Sequence, residues 1–232
     1  MKLRTILNEL LEDKGGQSAG SMELASIDVK TAREYIERLG LKIPNFEKHF
    51  ELAQKKAHFG KTKRRDMPVI DDTQVRQFQQ RLKTGVLDIH TPFAKETDPT
   101  DPFPEGLRGL TAQDFLIRGL KDNNLSDDKI GVTIRKISID KLKPIQRQIY
   151  FDKSAQPTAK NGIKKTIDFI SNKSFFVVSE DDFIIDGHHR FLSAVLIDPK
   201  MQVNVLSIDL PLSKLLPLSK AYGDAIGNTR NA

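Results

Sequence analysis

Apolar residues recur at helical spacing through the first half of the chain and alternate at strand spacing in parts of the second. Leu3, Ile6, Leu7, Leu10 and Leu11 fall on one face of a helix from about Lys2 to Asp13. Gly15, Gly16 and Gly20 among Ser and Gln then predict a flexible linker over 14–22. Ala32, Tyr35, Ile36 and Leu39 give a second helix from about Asp28, stopped by Gly40. Phe46, Phe50, Ala53 and Ala57 give a third, ending near Gly60. Asp71-Asp72 starts a fourth that runs through Leu82 to a stop at Gly85. Four prolines (92, 99, 102 and 104) predict an irregular segment over 90–109, and a fifth helix follows from about Thr111 to Lys121.

Beyond a polar turn at 123–128 the pattern changes. Val132–Ile139 and Met201–Ile208 read as strands, and Thr158–Ser171 reads as a helix. Phe175–Asp182 reads as a hairpin leading into a short strand, Phe183–Ile185. A final helical stretch is broken by Pro217. Strands interleaved with helices around a central hairpin predict an α+β fold, with a mostly helical region at 23–127 and a small mixed-sheet domain at 128–232. The polar turn and the Pro-rich segment make the second unit separable in this reading.

The charge follows the same division. The chain carries a net +6, of which residues 131–232 hold +5, from 15 Lys and Arg against 10 Asp and Glu. A basic domain favours polyanionic partners, nucleotides or nucleic acid. Lys61, Lys63, Arg64 and Arg65, with Lys55 and Lys56, form the densest positive cluster and are candidate contacts to a phosphate backbone such as DNA. The absence of cysteine removes disulfides, thiolate metal sites and thiol catalysis together. No apolar run reaches the length of a membrane span, and the N-terminal residues lack the apolar core of a signal peptide, so a cytoplasmic protein is expected. Helix 2–13 is a candidate docking peptide for the chain's own body, a partner protein or a second copy.

The candidate chemistry lies at Asp186-Gly187-His188-His189-Arg190, between the short strand and an apolar helix that carries Phe191, Leu192, Val195 and Leu196. Gly187 allows a sharp corner and close approach of another group. The helix start offers unpaired N–H groups and a positive dipole end, which suits phosphate. Arg190 adds a fork that can hold two phosphate oxygens. His188 and His189 add further nitrogen groups, and His188, with an ordinary pKa near neutrality, is a candidate to handle a proton. Adjacent histidines on a helix do not share a face, so a metal site built from them is weak. A divalent ion such as Mg, brought by phosphates and held by Asp186, fits better.

This string, with the hairpin Phe175–Asp182 before it and Ala194 in the helix after it, resembles the signature of the ParB/sulfiredoxin superfamily over roughly residues 131–226. Leu142-Lys143-Pro144-Ile145-Gln146 resembles the Pro-containing turn after that superfamily's first strand. The resemblance implies a ParB/sulfiredoxin-like fold and a nucleotide ligand: ATP, ADP or CTP with Mg. It also implies that Gly187, His188, His189 and Arg190 bind the nucleotide phosphates. Sulfiredoxins carry a catalytic Cys where this chain has His188, so sulfinic-acid reduction is excluded. Chromosome-partitioning ParB proteins have an acidic and a basic residue where this chain has the two histidines. The wording is nearest to that of ParB-like kinases that phosphorylate free serine using ADP. Their catalytic Glu has no counterpart here, because the only Glu after residue 130 is Glu180, in the hairpin. Asp140, Asp152 and Asp186 are the candidate replacements.

Three functions follow from these observations. The first is a nucleotide-binding phosphotransferase or nucleotide hydrolase that uses Asp186 and His188. The second is a ParB-like DNA-binding or nuclease-type protein, and the third is an assembly protein that keeps the fold without activity.

Overall fold

A computed structural model describes residues 22–58, 60–90, 112–121, 124 and 126–228. The helix expected at 2–13, the linker up to residue 21 and the Pro-rich stretch beyond His90 lie outside the described residues. The fold is α+β, as the residue pattern predicts.

In chain order, α1 is Val29–Arg38, α2 is Phe46–Ala57, α3 is Asp72–Thr84 and α4 is Ala112–Ile117. Strand β1 (Val132–Ser138) and the short β2 (Lys143–Pro144) follow, then helices α5 (Phe151–Asn161) and α6 (Ile163–Asp168). Strands β3 (Phe176–Ser179) and β4 (Phe183–Asp186) make the hairpin, and α7 (His188–Ile197) leaves its end. Strand β5 (Gln202–Ile208) and helix α8 (Leu212–Ala225) close the chain.

The helix ends follow local chemistry. Asp28 caps α1 by accepting from the Thr31 N–H at 2.8 Å. Asp71 and Gln74 form a reciprocal capping box at the start of α3. Two helices differ from the sequence reading. Thr158–Ser171 is not one helix: α5 starts earlier and contains Pro157, Gly162 (φ 82°) breaks the chain, and α6 runs into a π turn at Phe169–Lys173. Likewise α8 continues through Pro217 instead of breaking there. In both places burial of an apolar face, Phe151 with Ala155 and Leu215 with Leu218, outweighs one lost backbone hydrogen bond.

The five strands among the described residues form one mixed sheet in the order β1-β5-β3-β4-β2. β1 pairs antiparallel with β5, β5 parallel with β3, β3 antiparallel with β4, and β4 parallel with β2. Successive strand residues point to opposite faces, and the strands divide between two cores accordingly. Phe176, Val178, Ile184, Val203 and Val205 enter one core, whereas Val177, Ile185, Leu206 and Ile208 enter the other. The first core takes in α1, α2, α5 and α7; the second takes in α3, α4 and α8.

The packing therefore crosses the boundary expected near Asp128. Phe151 of α5 sits among Tyr35, Phe46 and Phe50 of α1 and α2, with ring centroids 5.9, 6.2 and 5.6 Å away. The Leu24 N–H donates to the Ile149 carbonyl, and the Phe151 N–H donates to that of Met22. On the other face, Phe78 of α3 stacks on Tyr222 of α8 at 4.7 Å. Among the described residues, α1 and α2 pack on one face of the sheet and α3 and α4 on the other.

Candidate functional site

Strand β4 ends at Asp186, and the chain turns into α7 through Gly187, whose φ of 110° is closed to most residues with a side chain. Space makes the same demand, because a Cβ at Gly187 would lie 2.7 Å from Cδ1 of Phe176. Arg190, one turn into the helix, lies over the Phe176 ring with its Cζ 5.7 Å from the centroid and pairs with Asp186. The corner thus places the open N–H groups of the first turn beside a guanidinium.

His188 is buried, at 4% exposure. Its Nε2 accepts the Ile145 and Gln146 N–H groups, each at 3.2 Å, so the ring proton sits on Nδ1. Burial, then the neighbouring His189, holds its pKa down to about 3. A ring whose lone pair is already taken and which stays neutral at physiological pH is a poor proton carrier. The catalytic role expected for His188 from its ordinary pKa therefore does not suit this geometry, which gives it a positioning role.

What His188 positions can be followed outward. The segment it pins, Ile145–Gln148, holds the basic stretch in turn: the Thr62 N–H donates to the Ile145 carbonyl at 3.0 Å, and the Arg147 N–H donates to the Thr62 carbonyl at 2.8 Å. Gln148 Oε1 then accepts the Arg64 N–H at 2.7 Å. Gly60 permits this contact, since a Cβ there would stand 2.6 Å from the Gln146 carbonyl oxygen. The result is a short 3₁₀ turn, Arg64–Asp66, which brings Arg64 to the corner while Lys61, Lys63 and Arg65 stay exposed.

Arg64, Gln146, His189, Arg190 and the Gly187 corner line a cleft of about 500 Å³. A cleft of this size suits a nucleotide-sized ligand. Met67, Pro68 and Ile70 give the lining an apolar part, and Asp71 joins Asp186 as its acidic part. Among the described residues no three metal-ligating side chains cluster, so Asp186 has no preformed cage around it. His189 turns to the other flank of the helix start. Its Nε2 accepts the Tyr150 N–H at 3.3 Å, and its ring stacks with Tyr150 at 6.2 Å. Burial, then Arg64 and Lys153, hold its pKa down to about 4, partly offset by Asp152.

The three aspartates proposed as bases separate clearly. Asp140 is paired with Lys200 and accepts from Ser138, and it is not part of the cleft lining. Asp152 is buried beside His189 in the first turn of α5. Asp186 alone of the three lines the cleft. Glu180 is exposed in the β3–β4 turn, at the far end of the hairpin from Gly187. Sequence reading missed the wall at Met67–Asp71 because Asp71 there signals only a helix start. It also missed Tyr150, the residue capping α5, and Lys153 within it, because Pro157 disguises that helix.

No family model matches the chain, and no match to it was found among the curated proteins or the solved structures compared. No helix among the described residues is long and apolar enough to cross a membrane.

Proposed function

We propose that the chain is a ParB/sulfiredoxin-like nucleotide-binding protein that carries out phosphoryl transfer or nucleotide hydrolysis in this cleft. The observation that carries the proposal is the meeting of the α7 N-terminus at Gly187 with two guanidinium groups, Arg64 and Arg190, in one cleft of about 500 Å³. A polyanion gains there from aimed N–H donors, from the dipole end and from two planar forks. The nucleotide phosphates lie against the N–H groups of Gly187, His188 and His189, with Arg190 as their clamp. The apolar wall at Met67, Pro68 and Ile70 faces the remainder of the ligand.

Asp186 has two states in this scheme. Without ligand it pairs with Arg190. With phosphates bound, Arg190 exchanges the carboxylate for phosphate oxygens, and Asp186, in the cleft lining, would hold a phosphate-bound Mg ion or take a proton from the attacking hydroxyl or water. His188 keeps the Ile145–Gln148 segment, and through it Arg64, in place.

Arg190→Ala is the test. The guanidinium is partly exposed, and its pair with a half-exposed Asp186 contributes little to stability, so the fold should survive. Losing a charge-assisted contact costs about 1.5–3 kcal/mol, roughly ten- to a hundredfold in affinity. We expect that loss in a calorimetric titration with whichever of ATP, ADP, CTP or GTP, each with Mg, binds the parent best. A variant that binds every nucleotide as well as the parent does would remove the corner as the phosphate site.

A further inference from the structure

We infer that the cleft has a second anion subsite, formed by Arg64 and Lys153 on the Tyr150 ring, which makes it selective for a phosphate chain over a single phosphate. This rests on the proposed phosphate site at Gly187 and extends it.

The geometry begins at the helix start. Residues adjacent on a helix point about 100° apart, so Arg190 and His189 serve different flanks of the corner. Arg190 turns to Phe176 and Asp186. His189 turns to Tyr150, whose N–H it accepts and against whose ring it stacks. Two cations converge on that ring: Arg64 Cζ stands 5.4 Å from its centroid, and Lys153 Nζ stands 5.1 Å away. Arg64 and His189 both line the cleft and both contact the Tyr150 ring, so this charged flank borders the space at the corner.

Bringing two like charges onto one ring costs electrostatic energy. The ring face returns part of it through cation–π attraction, and the buried Asp152 nearby offsets a further part. Burial, and then Arg64, lower the pKa of Lys153. An anion placed beside both cations gains from each of them. A single phosphate at Gly187 satisfies the corner and Arg190 only. A second or third phosphate on the same chain reaches the Arg64–Lys153 flank.

The probes are inorganic orthophosphate, pyrophosphate and triphosphate, which separate chain length from any base preference. Their affinities are measured by calorimetry on the full chain at fixed ionic strength. The parent is expected to bind triphosphate at least about tenfold more tightly than orthophosphate, the gain of an added charge-assisted contact. Lys153→Ala should lose most of that ratio while holding orthophosphate affinity within about twofold, and Arg64→Ala should lower triphosphate affinity more than orthophosphate affinity. Lys160→Ala, an exposed charge in the last turn of the same helix, should keep the parent's ratio and so controls for net charge. The inference falls if Lys153→Ala and Arg64→Ala retain the parent's ratio, if Lys160→Ala lowers it equally, or if the parent shows no dependence on chain length. Arg190→Ala separates the two ideas, because it should weaken all three phosphates. If it weakens none, or if the parent binds no phosphate at all, the corner itself fails and this subsite with it.

Discussion

A polypeptide beginning at Asp128 will not fold by itself, although the polar turn before it marks the clearest boundary in the sequence. Removing the earlier residues strips Leu24, Ala32, Ile36, Phe46, Phe50, Ala53 and Ala57 from the first core. It also removes Phe78 and Leu82 from the second. Phe151 loses the three rings that enclose it. Each large side chain left bare forfeits about 1.5–3 kcal/mol. A handful of them therefore removes on the order of 10 kcal/mol, as much as a whole domain's usual stability. The backbone hydrogen bonds from Leu24 to Ile149 and from Phe151 to Met22 go as well. The shortened chain should be insoluble or show no cooperative unfolding transition, while a chain beginning at Met22 should retain one. A sharp, cooperative melt from the shortened chain would mean that the helical layer is dispensable.

His188→Ala is expected to be the most damaging single substitution at the corner. It removes a buried ring and leaves two buried N–H groups, those of Ile145 and Gln146, without their acceptor. The cavity and the unsatisfied donors together cost about 3–6 kcal/mol. His188→Gln places an amide oxygen near the lost Nε2 and should restore more than half of this. The same ring sets an acid limit. Its folded pKa of about 3 lies below the unfolded value of 6.5, so its contribution to stability is complete above pH 6.5 and is lost as pH falls towards 3. His189, at about 4, acts in the same direction over a narrower window. Each histidine contributes a slope of about 1.4 kcal/mol per pH unit between its two pKa values. Denaturant titrations from pH 7 to 4.5 should show His188→Gln with a slope shallower than the parent's by about one proton. Equal slopes would mean that His188 titrates alike in both states.

Much of this was readable from residue types. Asp28, Asp71, Gly40 and Gly85 announced their helix ends, and alternation over Val132–Ser138 and Gln202–Ile208 announced two strands. The corner was legible because Asp-Gly-His-His-Arg is contiguous and Gly187 has a conformation that few residues share. Three features were hidden for physical reasons. Pro157 and Pro217 break helices by local rule, and only tertiary burial of the surrounding face overrides that rule. The environment of His188 depends on Ile145 and Gln146, more than forty positions away, so a pKa near neutrality was the natural expectation. The basic run at 61–65 looked uniform in sequence. One side chain of it, Arg64, turns into the cleft because Gln148 and Thr62 fix its backbone there, and the other three cations stay in solvent.

The central claim is that nucleotide phosphates rest on the first turn of α7, and amide chemical shifts report on that turn atom by atom. The decisive measurement is a titration of ¹⁵N-labelled full-length protein with ATP, ADP, CTP and GTP, each with Mg. With the nucleotide that binds, the account predicts the largest amide shifts at Gly187, His188 and His189, a shift of the Arg190 Nε resonance, and loss of all of these in Arg190→Ala. Saturable binding that leaves those three amides unmoved, or no binding of any nucleotide, would contradict it.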